Sequence, residues 1–138
     1  MSKLLLDANI LLDFIDPDRP ESDQAVELFR RCINGIDTGC VSAGSLIDVY
    51  YVSKKYLGEQ AARDYFRAFV DAFTVCSLDK AICKIAANSN EPDAEDAAVR
   101  AIAESISVDF IITRDAGAFK TSKIKSMSAA EYLDIFAG

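Results

Sequence analysis

No histidine occurs among the 138 residues of this chain, which removes every mechanism built on imidazole, from the Ser/His/Asp triad to histidine-ligated zinc. Proline and glycine are sparse, at 3 and 6, so the composition is neither that of a disordered linker nor that of a fibrous repeat. The four cysteines, Cys32, Cys40, Cys76 and Cys83, form no C-x-x-C pair, which argues against a zinc knuckle or a thioredoxin-like redox motif. They read as small buried hydrophobes. No apolar stretch approaches the ~20 residues that span a bilayer, and the run after Met1-Ser2-Lys3 is too short for a secretory signal. A cytoplasmic protein without membrane attachment is the expectation.

Hydrophobic residues make up 51% of the chain and charged ones 27%, enough for one domain, residues 1–138, to bury a core without disulfides. Basic residues number 15 and acidic ones 22, a net charge of −7. That balance speaks against strong nonspecific adhesion to nucleic acid or anionic lipid, so any phosphate ligand needs local help.

Short apolar runs alternate with helical patterns. Leu4 to Leu6 reads as a buried strand leading directly into a helix over Ile10 to Phe14, which ends before Asp16-Pro17-Asp18-Arg19-Pro20. Ser22 to Cys32 is an amphipathic helix with Gly35 beyond it. Thr38 to Val41 reads as a strand, Ser42 as the cap of a helix over Gly44 to Tyr56, and Gly58 as its stop. Helices over Glu59 to Asp71, Asp79 to Ala87 and Asp93 to Ser105 follow, with strands at Phe73 to Ser77 and Asp109 to Thr113. Lys125 to Met127 reads as a small edge strand, and Ser128-x-x-Glu131 is a capping box opening the last helix. Strands separated by helices imply an α/β fold, a mostly parallel central sheet flanked by helices in an α/β/α sandwich.

Acidic residues stand at places where such a fold binds ligands. Asp7 ends the first apolar strand and Asp115 follows the apolar run Phe110-Ile111-Ile112, so both belong at the carboxyl edge of the sheet. Asp7 also suits a helix cap. Asp48 is the only charge between Val41 and Val52, and burying it requires a cationic partner, either a metal or a distant arginine. Asp93, Glu95 and Asp96 crowd the start of a helix, where the macrodipole alone favours acids. Asp96 points away from the face of Ala94, Ala97, Ala98, Ala101 and Ile102, yet shares a side with Val99 and Ala103, which implies a helix covered on two sides. Together the acids suggest a carboxylate cluster that a cation neutralises, and oxygen-only ligation favours Mg²⁺ or Mn²⁺.

On these residues the sequence resembles the PIN-domain nucleases, in particular the VapC-type toxins of toxin–antitoxin pairs. The resemblance covers essentially the whole chain and is carried by Leu-Leu-Leu-Asp7-Ala-Asn9-Ile-Leu-Leu-Asp, Ser42 to Tyr51, Asp93-Ala-Glu95-Asp96-Ala, and Ile-Ile-Thr113-Arg114-Asp115 with Phe119 beyond. It implies that Asp7, Asp48, Asp96 and Asp115 form a metal-binding, catalytic acidic site, with Asn9, Ser42 and Thr113 as supporting polar groups. It also implies Mg²⁺- or Mn²⁺-dependent cleavage of RNA and an antitoxin as partner. Two positions depart from the pattern: the second acid is commonly Glu and here is the shorter Asp48, and Ala118 stands where many relatives carry another acid.

The chemistry agrees with the residue types, because a carboxylate-held Mg²⁺ both activates water for attack on a phosphodiester and neutralises the leaving oxygen. Arg114, Lys120, Lys123 and Lys125 face only Asp115 between residues 113 and 128, and are read as a phosphate-contacting rim or a solvated surface. Tyr50-Tyr51-Val52 and Tyr65-Phe66 with Phe69-Val70 supply apolar surface for a homodimer or a partner groove, or core. Two other readings stand beside the nuclease. One is a PIN-like interaction module without catalysis. The other, a phosphotransfer protein, is disfavoured because Asp7-Ala8-Asn9 lacks the second Asp of a D-x-D nucleophile motif.

Overall fold

A computed structural model describes residues 1–137. Its first strand, β1 (Lys3–Leu6), passes into helices α1 (Ala8–Ile15) and α2 (Ser22–Ile33) and then to β2 (Thr38–Ser42). Helices α3 (Ala43–Leu57) and α4 (Glu59–Ala72) lead to β3 (Thr74–Cys76), and α5 (Lys80–Ala87) and α6 (Ala94–Ser105) lead to β4 (Phe110–Ile112). A 3₁₀ turn (Ala116–Phe119), β5 (Lys125–Met127) and α7 (Ala129–Phe136) complete the chain.

The sheet has the strand order β3-β2-β1-β4-β5, and every pairing is parallel. The mostly parallel expectation is therefore met in full, with β5 at one edge and β3 at the other. Alternation along the strands builds two cores, as a sheet buried on both faces requires. Leu4, Leu6, Val41 and Ile112 pack on one side with residues of α1 to α4 and α7, whereas Leu5, Cys40 and Ile111 pack on the other with residues of α5 and α6. Stacked and edge-on rings of Phe14, Phe29, Phe69 and Phe73 join α1, α2 and the end of α4. Gly39 is required where β2 passes that cluster, because a Cβ there would lie 2.7 Å from the Phe73 ring and 2.9 Å from Cys32 Sγ.

The expected ends hold where side chains define them. Ser42 Oγ accepts from the Gly44 amide at 3.1 Å, Gly58 stops α3 at φ 88°, and the Ser128–Glu131 capping box is complete. Cys83 departs from expectation: it is exposed, while Cys32, Cys40 and Cys76 are buried.

A buried polar knot fastens the last helix. Asp37 accepts from Arg31 Nε at 2.8 Å, from the Tyr132 hydroxyl at 2.8 Å and from the Ser2 amide at 3.2 Å. The carboxylate is fully buried, and burial works against these donors, which together hold Asp37 below the usual carboxylate range. Tyr132→Phe, which removes one donor to a buried charge, is expected to cost about 2 kcal/mol in urea unfolding.

Candidate functional site

The strand order reverses between β1 and β4, since the chain leaves β1 toward β2 and returns to pair on the opposite side. Ligands of parallel α/β sheets bind outside the carboxyl ends of strands at such a point, and it is here that Asp7 and the turn after β4 meet. The Asp7 amide donates to the Ile112 carbonyl at 3.0 Å. Its carboxylate accepts from the Ala8 amide at 2.9 Å through Oδ1 and from the Thr113 hydroxyl at 2.9 Å through Oδ2. Thr113 Oγ1 in turn accepts from the Asp115 amide at 3.0 Å. Asp7 is thus a helix cap and a member of the acidic group at once, and buried Thr113 links it to Asp115.

The start of α6 brings the next acids. Asp93 caps the helix by accepting from the amides of Glu95 and Asp96 at 2.8 and 3.4 Å. Asp96 is half-buried, and its carboxyl is pushed up to about 6 by burial and by the charges of Asp93, Asp7 and Asp115. Burial likewise raises Asp7 against the pull of its two hydrogen bonds, with Asp115 and Asp93 adding to the rise. As the sequence implies, α6 is covered on two sides, with Ala97, Val99, Ala101, Ile102 and Ala103 all buried.

Asp48 is placed differently from expectation. It is exposed on α3, not sunk in an apolar run, because Ile47, Tyr51 and Val52 beside it also face outward. No arginine is paired with it among the described residues, and the side chain it meets is Glu95. That carboxyl is pushed up to about 7, chiefly by its hydrogen bond with Asp48, then by burial and the charges of Asp48, Asp93 and Asp7.

Two clefts flank the first turn of α6. One, of about 630 Å³, holds Asp93, Asp96 and Asp115 together with Lys120. The other, of about 650 Å³, is largely apolar and has Asp48, Glu95 and Ser42 on its walls. A third cleft of about 500 Å³ lies away from these acids, between the end of α1 and the end of α3.

No basic side chain is ion-paired with Asp7, Asp48, Asp93, Glu95, Asp96 or Asp115 among the described residues. Lys3, the base nearest Asp7 in sequence, donates its ammonium to the Ile106 carbonyl at 2.8 Å instead, and Arg100 is held by Glu91 and Glu104. Among the described residues no three carboxylates stand as a preassembled coordination sphere. Burial first, and then the neighbouring negative charges, raises the Asp7 and Asp96 carboxyls.

Of the supporting residues, Thr113 touches the acids, Ser42 caps α3, and Asn9 is exposed on α1. The basic rim divides. Lys120 lines the acidic cleft, and Lys123 and Lys125 are exposed along the following segment. Arg114 does not belong with them, since its guanidinium is paired with Asp13 and Glu21 at 3.4 and 3.1 Å. Sequence spacing left the parts of Asp93 and Glu95 undecided, because acids at a helix start are expected for the dipole alone.

Comparison with curated proteins gave no significant match. Solved structures share the fold. VapC20 of Mycobacterium tuberculosis, described as a sarcin-ricin loop cleaving toxin, aligns with a TM-score of 0.70 at 11% identity, covering 86% of this chain and 94% of its own. A chain of a toxin–antitoxin complex from Klebsiella pneumoniae aligns at 0.67 with 22% identity, covering 91% and 97%. A chain of DNA-bound VapBC from Salmonella typhimurium aligns at 0.68 with 18% identity, covering 94% and 99%. The sequence profile of the PIN domain matches residues 3–117, most of the chain and every acid of the site, and the chain therefore belongs to the PIN domain family.

Proposed function

We propose that this chain is a Mg²⁺- or Mn²⁺-dependent endoribonuclease and the toxin of a toxin–antitoxin pair. The observation that supports the reading is the approach of Asp7, Asp96 and Asp115 at the strand-order reversal, with no basic side chain ion-paired to them among the described residues. An all-oxygen, multiply anionic donor set fits a hard divalent cation. Asp7, Asp96 and Asp115 would hold it, with Asp48 contributing through its pairing to Glu95. A bound Mg²⁺ or Mn²⁺ supplies a more acidic water and neutralises charge developing on a phosphodiester.

The chain's own residues do the rest. Thr113 fixes one oxygen of Asp7 and the amide of Asp115, so two of the acids keep their relative position before any ligand arrives. Glu95, whose carboxyl is pushed up to about 7 chiefly by its hydrogen bond with Asp48, shares the wall of the second cleft with Asp48 and Ser42. Lys120 is the exposed ammonium in the acidic cleft, and we assign it the nearest phosphate of RNA, with Lys123 and Lys125 farther along the strand's path.

The solved neighbours named as toxin–antitoxin complexes support an antitoxin as the inhibiting partner. Tyr51, Val52, Tyr56 and Leu57 leave apolar surface exposed on α3, of the kind a partner or a second copy in a homodimer covers. Among the described residues no helix is long and apolar enough to cross a membrane. The four free thiols suit a reducing compartment, consistent with the cytoplasm.

The test is incubation of the purified chain with a mixed RNA pool, with Mg²⁺ and with chelator, followed by mapping of the ends. Defined cleavage that requires Mg²⁺ is expected. Intact RNA together with Mn²⁺-dependent stabilisation of the protein would instead favour an interaction module on the PIN fold.

A further inference from the structure

Arg114 stands in the chain between Thr113 and Asp115, yet it is absent from the cleft that holds Asp96 and Asp115. Its Nη1 lies 3.4 Å from Asp13 Oδ1, and its Nε lies 3.1 Å from Glu21 Oε2. Asp13 is fully buried on α1, shares the same oxygen with Arg19 at 3.3 Å, and keeps its other oxygen buried without a hydrogen-bond partner. The buried carboxylate is therefore held by two guanidiniums, and withdrawing Arg114 toward solvent would leave it Arg19 alone.

The consequence for the site comes from where these partners sit. Helix α1 begins at Asp7, its cap, and carries Asp13 six residues later, about 9 Å along the helix axis. Thr113 grips the helix at Asp7, and Arg114 grips it at Asp13. Two successive residues of one turn thus hold the same helix at separate points, and Glu21 adds an anchor beyond the α1–α2 corner. One point would leave a pivot, whereas two fix an orientation.

We propose that Arg114 is a positioning residue: clamped by Asp13 and Glu21, it fixes the turn bearing Asp115 against the helix bearing Asp7, and so sets the separation of two acids in the cation site. This rests on the reading of those acids as a cation site and replaces the expectation that Arg114 contacts RNA phosphate.

Arg114→Ala, Arg114→Lys and Glu21→Gln test it through Mn²⁺ affinity by calorimetry, amide hydrogen exchange over residues 113–119, and the salt dependence of KM for RNA. Arg114→Ala is expected to weaken Mn²⁺ by about tenfold or more, as loss of a group that orients a ligand does, and to speed exchange in that segment. The salt dependence of KM stays as in the wild type. Lysine recovers part of the loss, and Glu21→Gln moves both quantities the same way by less. Wild-type affinity and exchange in Arg114→Ala, or a raised KM with flattened salt dependence as its only effect, would overturn the proposal. Should Arg114→Ala fail to fold, half-buried Glu21→Gln decides by the same readings. If the wild type itself takes up no Mn²⁺, the cation-site reading fails separately, and the exchange rates alone uphold or overturn the clamp.

Discussion

If the chain cleaves RNA as proposed, replacing Asp7, Asp96 or Asp115 by asparagine is expected to lower cleavage by about three orders of magnitude or more, because each loss would remove several kcal/mol of charge stabilisation at a cation-dependent reaction. The same substitutions raise the melting temperature of the metal-free protein. Burial, and after it the charges of Asp93, Asp7 and Asp115, pushes the half-buried Asp96 carboxyl up to about 6, so neutralising it relieves a desolvation cost and a repulsion that folding creates. Opposite signs for activity and stability separate a working carboxylate from one that merely caps a helix. Asp93, which caps α6 through two amides, is expected to lose stability on conversion to alanine by about 1 kcal/mol. Asp48→Asn should cost less activity than the other three, since Asp48 is exposed and its direct partner is Glu95. Single-turnover rates and melting in chelator check both halves, and a variant cleaving like the wild type removes its residue from the site.

The second large effect is on stability as pH changes. Asp7 is raised, Asp96 lies at about 6 and Glu95 at about 7, against ordinary values near 4 in the unfolded chain. The folded state therefore binds protons more tightly than the unfolded state. Its stability is greatest below the unfolded values and is lost as pH rises through the folded ones. Buried Asp13 is raised too and acts with the same sign. Asp37, Glu27 and Glu59 are lowered by their partners and act in the opposite sense, but only below about pH 4.5, where unfolded carboxylates titrate. No histidine adds its own transition. Metal-free protein is expected to melt several degrees higher at about pH 5 than at about pH 6.5, with partial solvent screening limiting the size. In Asp96→Asn the slope flattens.

Much of the fold was legible because its signals are local. Leu4 to Leu6 and Phe110 to Ile112 are short apolar runs that only a sheet buried on both faces accommodates, and Ser42, Gly58 and Ser128 mark helix ends through their own chemistry. Asp7 and Asp115 were legible for a related reason, since both directly follow such runs. What escaped depends on distance in sequence. Asp48 reads as buried because its neighbours are apolar, yet Ile47, Tyr51 and Val52 are themselves exposed, and apolar composition does not say which face of a helix is covered. Arg114 reads as a free cation beside an acid until Asp13, 101 residues away, is brought against it. The pairing of Asp48 with Glu95 was hidden likewise, because it joins two helices that sequence spacing cannot orient.

The central claim is that carboxylates from the cap of α1 just after β1, from α6 and from the turn after β4 are held together for a divalent cation. Melting of the wild-type protein during Mn²⁺ titration at about pH 7.5 tests it most directly, because an ion bound only by the folded state must stabilise that state. At a concentration one hundred times its Kd the ion adds about 2.7 kcal/mol, roughly 9 °C for a chain of this size. Asp7→Asn, Asp96→Asn and Asp115→Asn each reduce that rise. A melting temperature indifferent to Mn²⁺ and Mg²⁺, or an equal rise in all three variants, would contradict the account.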